Sequence, residues 1–411
     1  MTWLVVIAGL VLVVFVHELG HFWVALAVGM RPRSFYIGFP PALVKVRRNG
    51  IEYGIGMIPL GGLVRIPGMH RPAASDLRTF VEPAVREQPD LAPAVGTVRR
   101  ALEAEDYDTA RRAYPELEQD VGAAHLSPAA RRSAERALRD LDEGTAPEAY
   151  WRASTWKRVA VIAAGPLANI LLAFAILFTV FAVSGGPAHT QHYTNKVDSV
   201  ETGTPAAAAG LRAGDRIVGV DGLPTRTFGE VSHVIGSSHG RPVVLTVVRN
   251  GRRVTVGPRP TIRSQGRWIF GFSPAPRVVS YTVGGAARAA GSDLWDVVGG
   301  TVTGFRGLVS HQGRSQLSGP VGIVQVSHSQ LQAGGTWYLQ ILALVSMSLA
   351  LINLLPLLPL DGGHILFSLI EGVRRRALAR EVYERVSVVG FAFILLVMVI
   401  AFSNDLSGTP H

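Results

Sequence analysis

Four long apolar stretches constrain the fold of this 411-residue chain more than any other feature. They run from about residue 2 to 28, 159 to 184, 337 to 370 and 386 to 402. Each could cross about 30 Å of hydrocarbon as a helix, which satisfies its own backbone hydrogen bonds where water is absent. Because 48% of the residues are hydrophobic and the mean hydropathy is +0.27, we predict a polytopic α-helical membrane protein with about four transmembrane helices.

The third stretch is too long for one straight helix, and Pro356 and Pro359 interrupt it. Proline lacks a backbone N–H donor and clashes with the preceding helical turn. The backbone groups released at such a break must be satisfied by protein or by water in a cavity, not by lipid. A broken intramembrane helix that carries an acidic residue is typical of a functional site.

The first stretch contains the sequence His17-Glu18-Leu19-Gly20-His21. A helix turns about 100° per residue, so the two imidazoles lie on one face and can bind one zinc ion. Glu18 lies beside them, where it can take a proton from water at the metal. Placing His and Glu side chains at bilayer depth costs free energy, so their presence there favours a functional role. The alternative is a polar cluster that packs against another helix.

A catalytic zinc ion needs a third protein ligand and keeps one open position. The chain has no cysteine, which excludes disulfides, thiolate zinc sites and thiol nucleophiles. In a pattern known from soluble zinc proteases, a third His follows six residues after the second. This chain lacks it, because position 27 is Ala27. Asp361 is the only acid between Trp337 and Ile370, and His364 is the weaker alternative.

Two different segments separate the first two apolar stretches. Residues 31–69 contain two apolar runs joined by Asn49-Gly50, which predicts a membrane-associated β-hairpin. Residues 70–150 are polar and Ala-rich, with 11 basic and 16 acidic residues between Arg71 and Glu148, a net charge of 11 − 16 = −5. Their amphipathic pattern predicts an inserted helical subdomain, which is either a solvated spacer or a docking site.

Residues 189–276 are predicted to form a small β-rich domain. Their pattern of short helix, Gly turn, strand and Asp-Gly hairpin between Gly203 and Gly222 resembles a bacterial PDZ domain. Such domains bind an extended peptide at a sheet edge, and a steric plug is the alternative. Residues 277–335 are predicted to be an amphipathic, interfacial linker.

Basic residues flank the apolar stretches on one side. They are Arg31, Arg33, Lys45, Arg47, Arg48, Lys157, Arg158 and Arg374 to Arg376. The positive-inside rule places them in the cytoplasm and the PDZ domain outside. The formal net charge of +10 fits the surface of a lipid bilayer rather than nucleic acid, since no basic module rich in aromatic residues is present.

The chain resembles the site-2 proteases, bacterial intramembrane zinc metalloproteases. The resemblance lies in HELGH at 17–21, LDGG at 360–363 with Asn353 upstream, PLGG at 59–62, AGPLAN at 164–169 and the PDZ domain between them. It implies one Zn²⁺ bound by His17, His21 and Asp361, with Glu18 as the catalytic base. It suggests that Asn353 and Pro356 position the substrate or the oxyanion. The implied substrate-binding hairpin residues are Gly54, Gly56, Pro59, Gly61 and Gly62.

The same resemblance implies an activity and a location. The expected enzyme is a metalloendopeptidase of the bacterial plasma membrane, with its active site toward the cytoplasm. Its expected substrates are single-span membrane proteins, such as anti-sigma factors, already trimmed by a first protease. One PDZ domain and the 70–150 insertion depart from relatives with two PDZ domains or a short loop. A peptide-binding membrane scaffold and a metal or proton transporter are the rival hypotheses.

Overall fold

The computed structural model describes residues 2–69, 71–187, 193–264, 267–276, 278–307, 319–378 and 380–407. The chain divides into two compact units. The first comprises Met1–Leu177 with Ser292–His411, and the second comprises Phe178–Gly291. The predicted start of the helical insertion at residue 70, the predicted start of the PDZ domain at residue 189 and part of the predicted 277–335 linker lie outside the described residues.

The secondary structure alternates between long apolar helices and small β elements. In chain order the helices are α1 (Thr2–Ala27), α2 (Ala74–Phe80), α3 (Glu82–Glu87), α4 (Ala92–Glu103), α5 (Tyr107–Ala123), α6 (Pro128–Thr145), α7 (Thr155–Ser184), α8 (Pro205–Ala208), α9 (Phe228–Gly236), α10 (Val283–Gly307), α11 (Pro320–Ala333), α12 (Gly335–Asn353), α13 (Asp361–Arg374) and α14 (Arg380–Ser407). The strands are β1 (Ser34–Arg48), β2 (Ile51–Arg65), β3 (Gly186–Pro187), β4 (Tyr193–Val200), β5 (Arg216–Val220), β6 (Leu223–Pro224), β7 (Pro242–Arg249), β8 (Arg252–Pro260), β9 (Ile262–Ser264), β10 (Arg267–Ile269), β11 (Phe272–Pro276) and β12 (Val278–Val279).

Within the described residues, four helices are long and apolar enough to cross a membrane. They are Thr2–Ala27, Thr155–Ser184, Gly335–Asn353 and Val382–Leu406. They confirm the prediction of a polytopic helical membrane protein. The third predicted stretch is divided: α12 ends at Asn353 and α13 begins at Asp361. The break has a physical cause, because a residue that precedes proline disfavours the helical conformation and Pro356 and Pro359 lie between the two helices.

The β1–β2 hairpin folds back on itself into four paired segments. Residues 34–37 of β1 pair with 52–55 on one side and with 62–65 on the other, and 44–47 pair with the far side of 52–55. Asn49 and Gly50 form the connecting turn with φ angles of 52° and 80°, as a two-residue hairpin turn of this type requires. The segment 62–65 is therefore the last strand of this small sheet.

Helices α2 to α6 form a separate helical insertion with its own apolar core. Its largest wholly buried side chains are Leu77, Val81, Val98 and Leu117. The two chain connections to the insertion lie side by side, because Tyr150 and Trp151 donate backbone hydrogen bonds to the carbonyls of Pro67 and Gly68 at 3.0 and 3.1 Å. The sequence predicts amphipathic helices here, and the structure has five short ones.

The second unit contains a six-stranded sheet in the order β11-β4-β5-β7-β8, with β6 beside β5. Its apolar core includes Ile217, Leu245 and Phe270. The wholly buried Asp215 accepts two hydrogen bonds from the Arg249 guanidinium at 2.7 and 2.8 Å. This β-rich architecture is compatible with a PDZ domain.

Candidate metal centre and active site

Three potential metal ligands converge from two helices of the first unit. His17 and His21 lie one turn apart on α1, and Asp361 is the first residue of α13. The Asp361 Oδ2 atom lies 3.2 Å from the His17 Nε2 atom and 3.4 Å from the His21 Nε2 atom. The two Nε2 atoms are 3.3 Å apart. The break between α12 and α13 therefore delivers the carboxylate to the two imidazoles.

This triangle of donor atoms fits a zinc ion. Two ligand atoms at about 2.05 Å from one zinc ion, separated by the tetrahedral angle, lie about 3.3 Å apart. The three observed separations all fall within 0.1 Å of that value. Among the residues that the structure describes, the buried Asp361 Oδ2 atom also has no hydrogen-bond partner. An unpaired buried oxygen is costly, and a bound cation removes the cost.

A backbone carbonyl orients His21 for metal binding. The His21 Nδ1 atom lies 2.8 Å from the Val161 carbonyl oxygen on α7. A carbonyl can only accept, so Nδ1 carries the proton and Nε2 keeps its lone pair toward the other two ligands. A contact of this kind fixes both the tautomer and the direction of a metal-binding imidazole.

Asn169 lies behind His17, as the Val161 carbonyl lies behind His21. Its side chain is wholly buried on α7, and its Nδ2 atom lies 3.4 Å from the His17 Nδ1 atom. Its Oδ1 atom is buried without a hydrogen-bond partner. Rotating the amide by 180° places Oδ1 where it accepts the Nδ1–H of a metal-binding His17. In the sequence, Asn169 stood out only as the last residue of the AGPLAN motif.

Two glycines allow α1 and α7 to approach closely enough for these contacts. A Cβ atom on Gly165 would overlap the His21 imidazole, and one on Gly20 would overlap the Ala164 carbonyl. Gly165 and Asn169 both belong to the AGPLAN sequence. That motif was therefore the signal in the sequence for residues that orient the histidines, although the sequence alone did not assign them this contact.

Glu18 faces the last strand of the hairpin sheet. A Cβ atom on Gly62 would overlap the Glu18 side chain, so the glycine leaves room for this carboxylate beside the strand. In the described part of the chain, the segment 62–65 pairs only with 34–37, and its residues line the same cavity as Glu18.

A cavity of about 520 Å³ opens at the three ligands. Its lining includes most of the predicted site residues: His17, Glu18, His21, Gly61, Gly62, Asn353 and Asp361. Asn353 enters the cavity from the last position of α12. His364 also lines it, but the group that could hold a metal ion consists of His17, His21 and Asp361.

Gly54, Gly56 and Pro356 are not among the residues that line this cavity. A Cβ atom on Gly54 would overlap the Tyr36 ring, and one on Gly56 would overlap the Phe39 carbonyl. These contacts tie the two glycines to packing within the hairpin. Pro356 is exposed in the segment between α12 and α13. Pro59 belongs to β2, and its side chain lies outside the described part of the structure.

Comparison with known proteins finds similarity over nearly the whole chain. The model of peptidase family M50 matches residues 5–397. A putative zinc metalloprotease of Mesorhizobium japonicum is 30% identical over 97% of this chain and 96% of its own length. The zinc metalloprotease RasP of Geobacillus kaustophilus is 30% identical over 96% of this chain and 94% of its own length.

A third relative carries a name that includes its regulatory role. The regulator of sigma-W protease RasP of Bacillus subtilis is 28% identical over 96% of this chain and 95% of its own length. The family match and the relatives together identify a metalloendopeptidase with zinc as its cofactor, and the donor triangle fits that metal. The chain belongs to peptidase family M50, the site-2 proteases.

Proposed function

We propose that this enzyme cleaves the transmembrane segments of single-span membrane proteins within the bilayer. The observation that carries the proposal is the position of His17, Glu18 and His21 on α1, a helix long and apolar enough to cross a membrane. Charged and polar groups at such depth are costly and are kept for function. A peptide bond that reaches them must itself lie in or near the membrane.

In this proposal His17, His21 and Asp361 hold the zinc ion, which when bound polarises the scissile carbonyl and lowers the pKa of water. Glu18 accepts the proton of the attacking water and then donates it to the nitrogen of the leaving amine. Asn353, at the cavity wall, donates an amide hydrogen bond to the oxyanion that develops on the carbonyl oxygen.

The substrate must unwind before hydrolysis, because a helix holds its carbonyls in hydrogen bonds to the amide four residues on. The unpaired edge of segment 62–65, whose residues line the cavity with Glu18, suits an unwound chain, which would add there as a further strand. Gly61 and Gly62 also line the cavity wall, where their backbone groups would contact the added strand. Gly54, Gly56, Pro59 and Pro356 remain predicted substrate-positioning residues.

The remaining domains complete the proposal. We assign residues 1–30, 156–184, 337–370 and 386–402 to the membrane, 31–69 to the hairpin region and 277–335 to an interfacial linker. The PDZ domain at 189–276 lies outside the cell and docks or excludes substrates by size. The insertion at 70–150 and the active site face the cytoplasm of a bacterial plasma membrane. The name of the Bacillus subtilis relative supports anti-sigma factors, shortened by a first protease, as substrates.

Mapping the cut bond in proteoliposomes tests this function. The full-length, zinc-loaded protein would be reconstituted with a single-span substrate whose outer domain has been removed, and the fragments identified by mass spectrometry. We expect a cut inside the apolar segment, and much slower cutting of the substrate with an intact outer domain. Cuts confined to the soluble flanks would overturn the proposal.

A further inference from the structure

A second cavity adjoins the metal centre. It has a volume of about 310 Å³ and lies between the end of β2 and the helical insertion. Arg65, Ile66 and Met69 line both this groove and the cavity at the metal centre. A chain paired with segment 62–65 would therefore end beside the groove.

The groove carries more negative than positive side chains. Asp140 and Glu143 on α6 both contact the guanidinium of Arg65, at 3.1 and 3.0 Å. The groove also contains Asp76 and Arg71. Arg71 points toward Glu105 at 4.0 Å and over the Trp151 ring, whereas Arg65 contacts both Asp140 and Glu143. These two carboxylates share one guanidinium, and a further cation beside them would be attracted to both.

Glu143 is the less exposed of the two carboxylates that contact Arg65. Its side chain is 16% exposed, whereas that of Asp140 is 59% exposed. Burial raises the pKa of Glu143 above its ordinary value even though Arg65 and Arg33 oppose the shift. A further positive group would stabilise its charged form.

The proposed substrates supply a positive group at this place. The cytoplasmic flanks of single-span membrane proteins are enriched in Lys and Arg. The insertion between Arg71 and Glu148 carries a net charge of −5, opposite in sign to such a flank. The two connections of the insertion are hydrogen-bonded to each other at Pro67 and Gly68, directly after segment 62–65.

We infer that this groove is a subsite for a Lys or Arg residue on the cytoplasmic flank of the substrate, with Asp140 and Glu143 as the recognising carboxylates. The inference rests on the proposed intramembrane cleavage. It gives the insertion a role in substrate selection. The competing explanation is that the two acids only hold Arg65, and with it the end of the edge strand, in place.

Substrate charge separates recognition from a purely structural role. Three versions of one substrate would carry Lys, Gln or Glu in the cytoplasmic flank, and each would be cut by the wild type and by D140N/E143Q. The wild type should cut the Lys version about five- to tenfold more efficiently, in kcat/KM, than the Glu version. The double variant should lose this preference while it still cuts the Gln version at nearly the wild-type rate.

A matched control lies on the same helix. Asp142 faces Arg111 at 3.8 Å and is not among the residues that line the groove, so D142N removes one negative charge from the same helix outside the groove and should keep the preference. Two results would overturn the inference. One is a wild type that cuts all three substrates equally, and the other is a double variant that slows all three by the same factor, as a structural role predicts.

Cross-linking tests the subsite without relying on cleavage. Since the chain has no cysteine, A73C in the groove and a single Cys in the substrate flank form one defined disulfide. With E18A present to stop turnover, we expect a several-fold higher yield with the Lys flank than with the Glu flank. We expect no such preference with A123C, at the end of α5. Equal yields for both flanks at A73C would contradict the subsite even if cleavage occurs, whereas a preference without wild-type cleavage would contradict the proposed function alone.

Discussion

Replacing Asn169 with Ala is expected to weaken zinc binding without touching a proposed ligand. A metal-binding His17 carries a proton on Nδ1, and the Asn169 side chain is the group found 3.4 Å from that atom. Because Asn169 is wholly buried, water cannot replace it easily. The variant N169A leaves a buried N–H without an acceptor.

The expected magnitude follows from that lost contact. An unsatisfied buried donor costs about 1–3 kcal/mol, and removing a group that supports a metal ligand typically lowers metal affinity by about 10- to 100-fold. The two figures agree, since about 1.4 kcal/mol corresponds to a factor of ten. We therefore expect the zinc dissociation constant of N169A to rise by about 10- to 100-fold.

Competition with a chromophoric zinc chelator, on the full-length protein in detergent, measures this change. N169D keeps an acceptor beside His17 and should retain affinity within a few-fold of the wild type. S346A removes the 2.9 Å hydrogen bond from the Ser346 hydroxyl to the backbone carbonyl of Asn169. It should therefore lower the stability of the protein without changing its zinc affinity. An unchanged affinity in N169A, or an equal loss in S346A, would refute the reasoning.

Three further predictions follow from other parts of the structure. G165A should bind less than a tenth of the wild-type zinc, measured as metal content per molecule, because its Cβ overlaps the His21 imidazole; full occupancy would contradict this packing. R249A should destabilise the 193–276 region by about 3 kcal/mol, seen as faster hydrogen exchange in the full chain, because it strands the buried Asp215 carboxylate. Burial raises the pKa of Asp215, but hydrogen bonds from Arg249 and from the Arg212 backbone amide outweigh burial and leave the pKa below its ordinary value. The charged Asp215 therefore stabilises the folded region above about pH 3.9, the pKa of an unfolded Asp. This contribution is lost as the pH falls through the lower pKa of the folded state. Protection of 193–276 that is unchanged by R249A and by acid would contradict both statements. Removing zinc with a chelator should abolish cleavage, and adding zinc back should restore it; activity that survives verified metal loss would exclude a zinc mechanism.

Much of the membrane architecture could be predicted from the sequence, because hydropathy and proline act locally. The apolar runs indicated the helices that could span a membrane, and Pro356 and Pro359 indicated the break. The four-residue spacing of His17 and His21 is enough to place them on one helical face. Asp361 could be chosen because it is the only acid in its stretch, and the structure brings it to the two histidines.

The remaining features depend on contacts that are distant in sequence. The order of the four hairpin segments could not be predicted, since the single turn at Asn49-Gly50 does not reveal that residues 62–65 return to 34–37. The supports behind His17 and His21 come from Asn169 and Val161 on a different helix. The acidic groove required the packing of α6 against Arg65, which no local pattern encodes.

The most direct test of the central claim compares the wild type with E18A on a single-span substrate shortened on its outer side, after equal zinc content has been verified. The account predicts a shortened fragment with the wild type and none with E18A, because the variant keeps the donor triangle but lacks the proposed proton acceptor. A fragment that persists with E18A would contradict the account. So would the absence of any fragment from the zinc-loaded wild type across several shortened substrates.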